Sequence, residues 1–302
     1  MMKSRAVRWG FLALALGGLL WTVLRNWSSF ASALSKLPFW VIVTSQILAC
    51  AYVCFTMWSW RVILADLGTA LSWNTSIQLF GVSQIGKYIP GGVWNIIAAA
   101  QIGRKHDIPA SRSLTAMTVA VLISLLSGLG IGSVALLSTS TIIQIPLWIL
   151  ILLLLLLFVV LSPPVLNRII AIGFRLLKQP APEHRLTLSG LGVSTMLSII
   201  SWIISGLQIW VLGIGFSMKP DIYTVQLAIG AYALAWVAGF IIVIVPAGTG
   251  IRESVLGLFF TGLLGTGAIL AVVLVSRITM TLADLLLAGL GAWLMKKTAP
   301  HI

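Results

Sequence analysis

The stretch GKYIPGGVWN, residues 86–95, interrupts an oily region with a lysine, a tyrosine, a proline and two adjacent glycines. Proline removes a backbone donor and clashes with the preceding turn, while paired glycines let a chain reverse. Unpaired backbone groups are too costly against lipid, so a break of this kind survives in a bilayer only when buried in protein or lining a wet cavity. What the break is for depends on whether the surrounding chain lies in a membrane.

Composition answers that it does. Of 302 residues, 59% are hydrophobic and 8% charged, too few polar groups to cover a soluble globule of this size. Apolar runs of near-spanning length recur at Trp9 to Leu24, Phe39 to Leu64, Leu114 to Leu137, Ile142 to Leu161, Leu186 to Leu212, Ile222 to Val245 and Ala268 to Leu294. The net charge of +13 owes much to scarce acids: Asp66, Asp107, Glu183, Asp221, Glu253 and Asp284 are all there are. A nucleic-acid reader needs a basic soluble face, so nucleic acid is not an expected partner, and the bases read instead as topology signals and lipid-headgroup contacts. The basic start and apolar run of the N-terminus are expected to form a retained first helix rather than a cleaved signal peptide.

Cys50 and Cys54 sit four residues apart in one apolar run and read as small hydrophobes. His106, His184 and His301 fall in loops or the tail without metal-ligand company. No Ser/His/Asp set and no nucleotide-binding glycine loop is present, so neither a cofactor nor an enzymatic or ATP-driven activity is expected.

The bases set the orientation. Lys3, Arg5 and Arg8 place the N-terminus in the cytoplasm, and the chain returns there at Arg61. The next basic cluster is Arg104, Lys105 and Arg112, so the segment from Thr75 to Gln101 begins and ends on the cytoplasmic side: it enters and turns back. The next pair of runs exits and returns to Arg168, Arg175, Lys178 and Arg185, and the chain ends inside at Lys296 and Lys297. Ile222 to Gly267 must then start and finish outside, a second hairpin opening the other way. Residues 164–179 alternate apolar and basic positions like an amphipathic helix lying in the cytoplasmic interface. Most of the thirteen tryptophans, including Trp27, Trp40, Trp73, Trp148 and Trp293, fall near helix ends as an interfacial belt.

The two hairpins align. YIPGGVWN at 88–95 set against IVPAGTGIRE at 244–253 superposes Pro90 on Pro246, each preceded by an apolar segment and followed by a short helix, a joint and a long helix. Broken helices at matching positions of inverted halves mark a transporter binding site near the midplane, where freed helix N-termini hold an anion. The candidate site therefore gathers Lys87, Tyr88, Pro90, Gly91, Gly92, Trp94 and Asn95 from the first break and Pro246, Gly248, Gly250, Arg252 and Glu253 from the second. Arg277 and Asp284 join them from the last helix, seven residues apart and so on one face. Adjacent residues on a helix diverge by about 100°, so Arg252 and Glu253 each want another partner. Glu253 is expected to meet Arg277, and Asp284 to meet Arg252 or a polar cavity.

At these motifs the chain resembles the lysylphosphatidylglycerol synthase/flippase transmembrane family. The stretch VPAGTGIRESVLGLFFTGLLGTGAILAVVLVSR, residues 245–277, is similar to that family's proline, Gly-x-Gly, acidic residue and arginine-bearing helix, and GKYIPGGVWNIIAAAQIGRKHDIP to its earlier counterpart. The helix after the first motif, LTAMTVAVLISLLSGLG, lacks the charged pair the resemblance implies. No soluble aminoacyl-transferase domain follows Ile302, so lipid synthesis is not expected.

The expected architecture is all-α: a polytopic integral membrane protein of about eight membrane helices in one transmembrane domain, residues 1–302, with both termini cytoplasmic and the plasma (inner) membrane as its location. Two inverted repeats with broken or re-entrant hairpins, about 39–137 and about 187–294, are joined by the fifth helix and the interfacial helix 164–179. The expected function is flippase-like transport of an anionic phospholipid or polyprenyl-phosphate-linked lipid, a choice the resemblance largely carries. Membrane lipids, anionic or phosphate-bearing, are the expected partners. The alternative is a non-transporting scaffold for a glycosyltransferase or lipid-modifying enzyme; a membrane enzyme or a second copy of the chain stays open as a further partner.

Overall fold

A computed structural model describes residues 24, 27–88, 94–138, 146–241 and 250–298. Among them the chain is helical: α1 (Trp27–Ser35), α2 (Phe39–Asp66), a composite α3 (residues 73–88), α4 (Trp94–Arg104), α5 (Ala110–Ser138), α6 (Leu147–Val160), α7 (Pro163–Leu176), α8 (Leu188–Gly215), α9 (Ile222–Ile241), α10 (Ile251–Phe260) and α11 (Thr266–Thr298). Five of these are long and apolar enough to cross a membrane, and six if α6 and α7, bent by 63° at their joint, count as one span. The expected first helix lies outside the described residues except for Leu24. The second hairpin differs from the sequence reading in proportion, because its first arm, α9, is itself of spanning length while α10 has ten residues.

Local chemistry sets the boundaries. Leu67 and Gly68 close α2, and Gly68 holds φ +85°, a conformation open to glycine at no steric cost. The ring of His184 lies where a Cβ of Gly68 would be. Pro163 and Pro164 occupy the first turn of α7, where a missing N–H costs nothing, and so turn the chain away from α6. The start of α8 is tied down twice: the Thr187 hydroxyl accepts from Gly190 N–H, and the Asp66 carboxylate accepts from both the N–H and the hydroxyl of Thr187 at 2.7 Å each.

Apolar contact with lipid gives helices no reason to associate, so packing and polar bonds hold them together. Ser59 and Ser194 bond side chain to side chain at 2.7 Å between α2 and α8, and Ser127 and Ser198 do so at 2.9 Å between α5 and α8. At the meeting of α2, α8 and α11 the fully buried Gln208 amide donates to Ser45 and Thr279. Glycines permit the closest approaches. Gly206 of α8 seats Ile229 of α9, while Gly81 of α3 and Gly291 of α11 each meet the other helix's backbone carbonyl, with 2.7 Å from a built Cβ to Leu287 O and to Ile77 O respectively.

The order long helix, long arm, short arm, long helix occurs twice, as α2 to α5 and as α8 to α11. Exchanging α2 with α8, α3 with α9, α4 with α10 and α5 with α11 carries most packed pairs onto one another: α3 packs on α11 as α9 packs on α5, α2 on α11 as α8 on α5, and α4 on α5 as α10 on α11. Outside the two sets, α1 lies on α11 as α6 lies on α5. The match is looser between α2 and α3, which touch less than α8 and α9 do. The buried apolar residues divide similarly, one cluster around Trp60, Leu79 and Met117 of the first set and another around Trp202, Leu227 and Phe260 of the second.

Candidate functional site

Each break delivers one charged side chain to a partner on α11, Lys87 from the first and Glu253 from the second. Residues 73–88 are a helix under changing pitch, α for one turn, π over Ile77–Gly81, then tightening to a 3-10 turn over Ile85–Tyr88 that carries Lys87 and Tyr88. Gly86 allows the first turn of α4 to return against it, since a Cβ there would stand 2.5 Å from Asn95 N. On the other side Gly250, at φ +86°, starts α10 and places Arg252 and Glu253 in its first turn.

Asp284, 2% exposed, accepts from the Lys87 ammonium at 2.6 Å and from the Tyr88 hydroxyl at 2.5 Å, both on Oδ2. Thr281 Oγ1 is 3.4 Å from the same hydroxyl. Glu253 accepts from Arg277 Nε at 2.8 Å, with 10% and 26% of the two side chains exposed. Of the pairings expected, Glu253 thus meets Arg277, but Asp284 does not meet Arg252. The 3-10 turn brings Lys87 to it instead, because α3 and not α10 packs along that stretch of α11. The two ion pairs lie about 10 Å apart along α11, at 1.5 Å per residue for the Arg277 to Asp284 spacing, one partner helix for each.

Arg252 is left over. Its guanidinium carbon stands 5.5 Å from the centre of the Trp236 ring, its Nε is buried without a hydrogen-bond partner, and no carboxylate pairs with it among the described residues. Glu253 Oε2 and Asp284 Oδ1 are likewise buried and unbonded. Tyr52 of α2 and Tyr232 of α9 lie within electrostatic reach of both Arg252 and Asp284, so the two ion pairs and the extra cation form one cluster. The cluster holds three bases, Lys87, Arg252 and Arg277, against two acids.

Trp94 is 38% exposed at the start of α4, and the amide oxygen of Asn95 is buried without a partner. Pro90, Gly91, Gly92, Pro246 and Gly248 lie outside the described residues. Sequence reasoning missed Trp236, Tyr52 and Tyr232. Trp236 was hidden by the habit of assigning tryptophans to the interface; that assignment suits Trp27, Trp40, Trp73, Trp148 and Trp293, all about half exposed, but not Trp60 and Trp202, which are fully buried. Position gave no signal either, since Trp236 lies only about one and a half turns before Ile241 at the end of α9, where interfacial tryptophans also fall. Among the described residues no group of three or more His, Cys, Asp or Glu could hold a metal ion.

The cluster can hold an anion by Coulomb attraction and hydrogen bonding without any covalent step. A family model described as the lysylphosphatidylglycerol synthase TM region matches residues 9–288. No curated protein matches the chain.

Proposed function

Since the chain belongs to the lysylphosphatidylglycerol synthase transmembrane family, we propose that it is a flippase-like transporter that moves an anionic, phosphate-bearing lipid between leaflets. The observation that carries this reading is Arg252. A cation in a membrane segment is costly unless paired, and here both nearby acids are already bonded to Lys87 and Arg277. The residual positive charge stands at the N-terminus of α10, where the helix dipole adds roughly half a unit more. A phosphate group neutralises both and offers acceptors to the unbonded Nε.

In this reading the two four-helix sets are inverted repeats, supported by the exchange of packed pairs, and the site lies between them so that rocking of one against the other exposes it to either leaflet. Membrane lipids are the partners, the plasma membrane is the location, both termini face the cytoplasm, and no catalytic step is involved. The bases Arg104 and Lys105 at the end of α4, and Arg168 and Arg175 on α7, gather anionic lipid at that face.

The test is reconstitution of purified protein into vesicles with labelled anionic, zwitterionic and polyprenyl-phosphate lipids. Wild type is expected to exchange the anionic lipids preferentially, Arg252→Ala to lose that preference, and Arg252→Lys to keep part of it. Exchange indifferent to headgroup charge, or none with any lipid, overturns the reading and favours a scaffold.

A further inference from the structure

The α6 sequence LWILILLLLLLFVV is apolar on every side and rests on α5, with α7 continuing past the bend. Leu152, Leu155 and Leu156 face outward, all more than half exposed. Because α6 leans on α5, a gap remains between it and the pair α8 and α9. That gap is a cavity of about 430 Å³, walled by Gly130 of α5, Leu154 and Phe158 of α6, Thr195 and Ile199 of α8, and Gln226 of α9.

Its volume and its setting identify its occupant. Gly206 of α8 lies against Ile229 of α9, which fixes the register of these two antiparallel helices. Gln226 is three residues before Ile229, so it stands level with about residue 209 of α8, some 14 residues or about 21 Å from Thr195. The walls therefore extend over about 21 Å of helix, an elongated slot rather than a compact hole. An apolar cavity of about 150 Å³ takes the six carbons of benzene, so this one takes about 17. The slot runs along membrane-spanning helices and opens between side chains that face lipid, where hydrocarbon is the surrounding solvent.

We propose that the slot between α5, α6, α8 and α9 is a specific seat for one acyl chain of a membrane phospholipid. It is distinct from the charged cluster. Ser127 on its wall accepts from Trp202 Nε1 at 3.1 Å, Trp202 stands edge to face with Trp236 at 5.2 Å, and Trp236 carries Arg252 on its ring. Two tryptophans therefore partition the chain seat from the cation, and seating a chain does not require that the protein move lipid.

The full chain in vesicles of phosphatidylcholine and phosphatidylglycerol, doped with a phospholipid bearing a diazirine in one acyl chain, is irradiated and its adducts mapped by peptide mass spectrometry. Adducts are expected on the slot walls at several-fold higher density than on the exposed face of α11 at Ile278, Leu282 and Leu286. Ile199→Trp and Thr195→Phe, which add volume into open space, are expected to remove the slot adducts, leave those on α11 and keep the thermal unfolding temperature. Should either variant fail to fold, the density ratio in wild type still decides. Slot labelling no denser than on α11, or unchanged in folded filled variants, overturns the proposal. Arg252→Ala is expected to leave the slot adducts intact, so loss of charge-selective exchange with labelling retained separates this seat from the transport reading.

Discussion

Replacing Lys87 with methionine and Asp284 with asparagine, singly and together, tests the link between the first break and the last helix. The two partners are unequally buried: the Lys87 side chain is 35% exposed and that of Asp284 2%. Methionine at 87 leaves a buried carboxylate with the Tyr88 hydroxyl as its one bonded partner, and removing one member of such a pair costs about 3–5 kcal/mol. Asparagine at 284 still accepts from Tyr88, and the ammonium it abandons reaches the open side of its site, so the loss is nearer that of one charged hydrogen bond, about 1.5–3 kcal/mol. With both charges gone the double variant retains no stranded ion and is expected within about 1 kcal/mol of wild type. Unfolding free energies from denaturing-detergent titration in a fixed mixed micelle read all four proteins. Lys87→Met costing no more than Asp284→Asn, or single costs that simply add, would refute the reasoning.

Gly81→Ala is expected to cost about 1–3 kcal/mol, because its Cβ meets a backbone carbonyl that cannot swing aside. Gly173→Ala, with nothing within 4 Å on an amphipathic helix, should be neutral or slightly stabilising; thermal unfolding of the two compares them directly. On a background lacking Cys50 and Cys54, single cysteines at positions 105 and 183 should react with an impermeant thiol reagent from the cytoplasmic side and one at 219 from the other; labelling of 105 and 219 from one side would remove the inverted arrangement.

Membrane residence, helix order and the two breaks were legible in the residues themselves, because each is a local property. Twenty apolar residues satisfy their own backbone bonds, lysine and arginine resist crossing a bilayer, and Pro-Gly-Gly cannot continue a helix. Seven-residue spacing was likewise enough to put Arg277 and Asp284 on one face of α11. Which partner each of them takes was not. Glu253 reaches Arg277 and Lys87 reaches Asp284 because α10 and α3 pack along different stretches of that helix, and those stretches are set by close approaches such as Gly81 to Leu287 and Gly291 to Ile77. Nor could the run of leucines in α6 announce that it stands apart from α8 and α9, since a helix apolar all round has no face that names its neighbour. Tertiary packing alone decided that Arg252 would be left without an acid, because being unpaired is a statement about every other side chain within reach, and no local pattern in a sequence records it.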